Sequence, residues 1–119
     1  MRVIKPEDVK PEEMSAPLFT GKVTRQPVVD QEESESFNCA IITFPRGVRN
    51  KLHTHTSDQI LIATAGHGIV ATENVEQLVG PGDIIHIPAG ERHWHGATEH
   101  SVFSHIFLTQ SGSRTTQLD

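Results

Sequence analysis

The sequence has one cysteine, no tyrosine, one tryptophan and a deficit of basic residues. A lone cysteine, Cys39, excludes an intrachain disulfide framework and any multi-cysteine zinc site. Without tyrosine, no phenol can serve as an acid. No apolar run approaches the length of a membrane span. Ten Lys and Arg stand against fifteen Asp and Glu, a net charge of −5. That balance argues against non-specific binding to nucleic acid or to an anionic membrane, which both need a basic face. The first residues, MRVIKPEDVKPEEM, carry charges and prolines where a signal peptide needs an apolar stretch. The sequence is therefore expected to start near Met1 in the mature protein and to stay in the cytoplasm. Its 119 residues fit one domain, 1–119.

Residues 1–17 hold Pro6, Pro11 and Pro17 among many charges and read as an arm with at most a helical turn. Residues 30–36, DQEESES, read as an acidic loop, and 111–119 as a frayed polar tail. Between them lie short runs rich in Ile, Val, Phe and Thr: 37–44, 58–65, 67–72, 83–87 and 101–109. Strong turn signals separate them, including Pro45-Arg46-Gly47, Gly66-His67-Gly68, Gly80-Pro81-Gly82 and Pro88-Ala89-Gly90. Many short strands without a long helical period predict an all-β, antiparallel sandwich or small barrel. Such a barrel can enclose a ligand site.

Histidine is what the sequence has in excess, eight in all. His53 and His55 stand at i and i+2, and His93 and His95 repeat that spacing. Alternate residues of a strand share a face, about 7 Å apart. Each pair can thus present two imidazoles to one side, and imidazole is the commonest metal ligand. Gln59 follows His55 after a short turn and can return on a facing strand. Asp58 competes with it as a ligand, but neighbours in a strand face opposite sides. A lone histidine is more often a surface or satisfied core residue. Two His-x-His pairs in one small β domain reverse that expectation.

The stretch Gly47-x5-His53-x-His55-x3-Gln59-x6-Gly66 resembles the first motif of the cupins, with Gln59 where glutamate is usual. Gly82-x5-Pro88-x-Gly90-x2-His93 resembles the second, with Ala97 where asparagine is usual. The resemblance covers residues 37–109 and implies an antiparallel double-stranded β-helix, a jelly-roll barrel with a metal in its mouth. The ligands it implies are His53, His55, Gln59 and His93. The run HWHGA (93–97) with FSH (103–105) is also similar to small cupins of the carboxymuconolactone-decarboxylase type, a group with bacterial manganese-dependent hydroxynitrile lyases. That similarity implies cavity positions at His95, His105, Ala40, Ile42 and Thr109. Fold and metal carry over from such a resemblance, and substrate does not.

Three imidazoles and an amide would leave a divalent ion its full formal charge and make it a stronger Lewis acid than a glutamate ligand would. Nitrogen and oxygen donors without thiolate suit Mn²⁺ or Fe²⁺, with Zn²⁺, Ni²⁺ and Co²⁺ as alternatives. His95 shares a strand face with His93 and is the first candidate for a proton-transfer base, with His105 the second. The alternative for both is cavity lining without chemistry. His67 and His100 read as solvent-facing, and the face of His86 depends on register. Trp94 is expected between sheets or at a dimer interface. Cys39 lacks a basic neighbour that would make it a nucleophile.

Three functions follow as expectations. The first is a metal-dependent lyase, decarboxylase or isomerase acting on a small hydroxy or carbonyl compound. The second is an iron dioxygenase. The third is a non-catalytic module that binds a small ligand or a metal. Small cupins commonly pair, and an open sheet edge invites pairing, so a homodimer is expected.

Overall fold

The computed structural model describes residues 1–119. After a 3-10 turn at Pro6–Asp8 the chain forms only strands: β1 (Glu12–Met14), β2 (Val23–Val29), β3 (Phe37–Phe44), β4 (His53–His55), β5 (Gln59–Gly66), β6 (Gly68–Ala71), β7 (Glu76–Val79), β8 (Ile84–Ile87), β9 (Trp94–Ala97), β10 (Phe103–Gln110) and β11 (Thr115–Gln117). One sheet has six strands in the order β1-β2-β3-β10-β5-β8. A three-stranded sheet, β7-β6-β9, and a two-stranded one, β11-β4, complete the barrel. Every pairing is antiparallel. This is the jelly roll that the resemblance implied. No helix is long and apolar enough to cross a membrane.

Period-two alternation decides which side chains face inward. The inner face of β3 carries Asn38, Ala40, Ile42 and Phe44, and that of β10 carries Phe103, His105, Phe107 and Thr109, paired across the ladder. One end of the barrel is closed by apolar packing. Val23, Phe44 and Phe103 are fully buried there, with Ile42, Ala63, Val79 and Ala97 around them. Toward the other end the inward positions turn polar, and that change of chemistry along the strands places the site.

The glycines of the two motif frames have a backbone reason. Gly66 has φ +70°, and a Cβ there would lie 1.7 Å from the Val102 carbonyl oxygen. It lets β5 end against the loop that enters β10. Gly82 has φ +92° with open space around it, so only its left-handed turn favours glycine.

The strand pattern departs from the sequence reading in four places. The arm is not merely a turn: Glu12–Met14 pair with Val23–Arg25 as an edge strand, and Gln26 Nε2 donates to the carbonyls of Pro6 and Val9. The tail is not frayed throughout, because Thr115–Gln117 pair with β4. Strand β2 escaped notice because Pro27 cannot donate to a ladder. The register shifts just there, between Pro27 and Val29, as at a β-bulge. Strand β7 escaped because three of its four residues are exposed and give no alternation.

Candidate metal centre

The two motif frames meet through their backbones. His53 N–H donates to the His93 carbonyl at 3.0 Å, and His93 N–H donates to the His53 carbonyl at 3.1 Å. This reciprocal pair brings the His53 and His93 rings to a centroid separation of 4.2 Å. His55, two residues along β4, lies 4.8 Å from His53 and 5.2 Å from His93 by the same measure. One ring nitrogen from each of the three falls within 4.8 Å of the others.

Hydrogen bonds fix which nitrogen points inward. His53 Nδ1 lies 2.6 Å from the Lys51 carbonyl oxygen, and His93 Nδ1 lies 2.8 Å from that of Glu91. A carbonyl oxygen only accepts, so both Nδ1 atoms carry the proton. In the neutral ring the lone pair then sits on Nε2. His55 Nδ1 is held at 2.9 Å by the Thr115 hydroxyl, supplied by the tail strand. Burial keeps these rings neutral. It lowers His53 to about 4, helped by the neighbouring His93 and His55. It lowers His55 to about 4 as well, with His93 adding to the effect, and it lowers His93 in the same direction.

Gln59 opens β5 on the same interior, 6 % exposed. Its Oε1, His55 Nε2 and His93 Nε2 are all buried without a hydrogen-bond partner. Buried polar atoms are almost always paired. Three unpartnered buried polar atoms on one interior form a donor set of the kind that holds a cation, with neighbours that orient the rings in the manner common at metal sites. Mn²⁺, Fe²⁺ and other divalent ions that accept nitrogen and oxygen ligands fit this set. Asp58, the competing ligand, turns away. It is exposed, paired with His86 at 2.8 Å, and accepts the Ala89 N–H.

His95 faces the same interior, 4 % exposed, with its ring centroid 5.8 Å from that of His93 and 5.9 Å from that of His53. Its pKa is held well below the ordinary histidine value, chiefly by burial and then by the neighbouring histidines. His105 packs edge-on against it at 4.9 Å. Burial lowers His105 to about 4, and both its ring nitrogens lack partners. Asn50 is a residue the sequence reading missed. Its Oδ1 accepts the His95 N–H at 2.8 Å, its own N–H donates to the His95 carbonyl at 2.9 Å, and its amide lies 3.2 Å from His95 Nε2. It thereby pins β9 at His95. A buried asparagine three residues before the first motif histidine was the available signal, but burial cannot be read from that position alone.

A cavity of about 620 Å³ opens on these side chains. His53, His55, Gln59, His95 and His105 line it, as do Ile42 and Thr109. Ala40 shares their strand face but is fully buried and does not reach the cavity surface. His93 does not line it and contributes instead to a second groove, with Ile87 and Trp94. His67, His86 and His100 are exposed and lie outside the cavity. Trp94 does not lie between the sheets: it is half-buried, with the Arg49 guanidinium 3.9 Å above its ring. Burial raises the Cys39 thiol, which suits a structural rather than a nucleophilic cysteine.

Residues 40–108 match the family model of the cupin domain. The chain belongs to the cupin superfamily. This cupin is 36 % identical over 97 residues to an (R)-mandelonitrile lyase of Granulicella tundricola, spanning 80 % of this chain and 73 % of that one. It is also 36 % identical over 67 residues to an acireductone dioxygenase of Bacillus licheniformis, spanning half of this chain and 37 % of that one. Among solved structures, a cupin-like protein of Thermotoga maritima superposes with a TM-score of 0.83 at 28 % identity, over 89 % of this chain and 83 % of the other. The polyketide cyclase RemF of Streptomyces resistomycificus reaches a TM-score of 0.89 at 18 % identity, over all of this chain and 86 % of that one, a likeness of fold. The cupin fold thus comes with lyase and dioxygenase relatives and a three-histidine site.

Proposed function

We propose that this cupin is a metal-dependent enzyme of the lyase type, acting on a small hydroxy or carbonyl compound. The observation that carries the reading is the set of unpartnered buried polar atoms on His55, His93 and Gln59 beside His53. His53, His55, Gln59 and His93 would hold one divalent ion, Mn²⁺ or Fe²⁺ by preference. When bound, that ion supplies a Lewis acid for the substrate oxygen. The mandelonitrile lyase relative supports the reaction class.

The protein's part is proton transfer and desolvation. His95 and His105 are neutral, buried and beside one another, so each can accept a proton at a ring nitrogen. For a cyanohydrin, the hydroxyl proton passes to His95 while the carbon–carbon bond to the nitrile breaks. The bonding pair leaves with cyanide, the carbonyl forms, and the proton returns to the leaving group. Atoms and charge balance without an oxidant. Phe44, stacked on the floor against Phe103 and edge-on to His95, keeps water from that end. The acireductone dioxygenase relative favours a second reading, oxygen-dependent cleavage. The two separate cleanly. Protein reconstituted with Mn²⁺ or Fe²⁺ should cleave mandelonitrile to benzaldehyde with oxygen excluded. Turnover seen only in the presence of oxygen would move the assignment to the dioxygenase.

We further propose that the protein forms a homodimer through the outer face of its six-stranded sheet. Ile60, Ile62, Ile84, Ile106 and Leu108 lie on that face in adjacent strands, with Ile84 at 71 % exposure. A contiguous apolar patch of this kind marks an interaction surface. Light scattering should give twice 13.1 kDa for the wild type. Replacing Ile62 with aspartate should give the monomer. A wild type that stays monomeric at micromolar concentration refutes the assignment.

A further inference from the structure

The cavity holds one permanently charged cation, Arg25, which neither motif frame contains. Its Cα is registered opposite Ile42, and Ile42 opposite His105. Registered partners share a face, so Arg25 looks into the barrel with the buried Ile42 and His105. It is half-buried. The protein's four ion pairs join Arg2 to Glu33, Lys22 to Glu13, His86 to Asp58 and Arg92 to Glu73, and Arg25 takes part in none. Its side chain makes no hydrogen bond either, although Glu12 stands directly opposite on β1. Two acids, Asp30 and Glu32, also line the cavity, and neither carboxylate is paired with Arg25. Asp30 Oδ1 accepts the N–H groups of Glu32 and Glu33, while Glu33 is paired with Arg2.

A partly desolvated guanidinium without a partner is costly, and its planar fork matches a carboxylate. A second unsatisfied group lies in the same wall, because His105 is 1 % exposed with both ring nitrogens unpartnered. Two strand steps, about 10 Å, separate the backbones of Arg25 and His105, a span that the arginine side chain largely covers. His105 adjoins His95, and His95 adjoins the three-histidine cluster. The polar groups therefore run from the cluster past two histidines to a cation. We propose that Arg25 binds a carboxylate at the end of the substrate remote from its reacting carbonyl or hydroxyl. The substrate class is then a carbonyl or hydroxy compound bearing a distal carboxylate. This rests on the reading of the cluster as the reacting end.

The test uses 4-formylbenzoate and its neutral isostere 4-formylbenzamide, titrated calorimetrically against the protein with and without its metal. The wild type should bind the acid about tenfold more tightly than the amide, in keeping with one charge-assisted contact. Raising the ionic strength should erode the acid's affinity and leave the amide's unchanged. Arg25→Gln should abolish the preference while metal content and amide binding stay as they are. Arg25→Lys should restore part of it. Equal binding of acid and amide by the wild type, no binding of the acid, or a preference that survives Arg25→Gln overturns the proposal. Failure of the lyase reading shows elsewhere, as absent metal or absent turnover, and leaves the charge preference standing.

Discussion

Replacing His53 with alanine should strip the protein of stoichiometric metal. The ring is 1 % exposed, and its Nδ1 proton is committed to the Lys51 carbonyl, which leaves Nε2 as its only free donor atom. Without it a divalent ion keeps at most two imidazoles and an amide. The backbone pairing of His53 with His93 does not depend on the side chain, so the barrel should survive. Elemental analysis of protein purified without added metal should give about one ion per chain for the wild type and a small fraction of that for H53A. Asp58→Asn is the control. Its carboxylate faces solvent and pairs with His86, a pair that solvent screens, so metal content should not change. Unaltered metal in H53A would refute the ligand set.

His95→Ala should retain the metal and lose about 10²–10⁴-fold in turnover, the range typical of a positioned base. The backbone N–H of residue 95 still reaches Asn50 Oδ1 after the substitution, so β9 keeps its place and His93 its orientation. The loss should therefore fall on kcat with metal content intact. In the wild type the rate should persist into the mildly acidic range. Burial lowers the pKa of both His95 and His105, so the base forms survive below the pH at which an exposed imidazole would protonate. If H95A keeps its rate while His105→Ala loses it, the roles of the two rings are exchanged. If neither substitution matters, the chemistry does not pass through this wall.

Asn50 bears on the same measurement. Its amide bridges the loop before β4 to the backbone of His95 in β9. It links the loop before the first motif histidine to the candidate base through both backbone and ring contacts. Its role is to position His95, and a change there acts through the placement of that ring.

The sequence by itself determined an all-β architecture and which of the motif side chains share a strand face, while the jelly roll and the ligand set came from the resemblance of the two motif frames to the cupins. The first two are legible because they depend on periodicities two residues long. Strict alternation puts His53 with His55, and Gln59 opposite in sense to Asp58, whatever the rest of the chain does. The glycines at 66 and 82 occupy positive-φ turns, a requirement that is local to the backbone and so visible in the sequence. Tertiary structure alone decided what depends on residues distant in the chain. That the two histidine frames join through a reciprocal backbone pair follows from the sheet closing on itself. The tail became a strand because β4 offered it an edge, and in that place Thr115 holds His55. Arg25 faces the cavity because β2 pairs with β3 in the register that sets it opposite Ile42, with a shift between Pro27 and Val29. Short-range pattern sets which way a side chain points. Only long-range pairing sets what it points at.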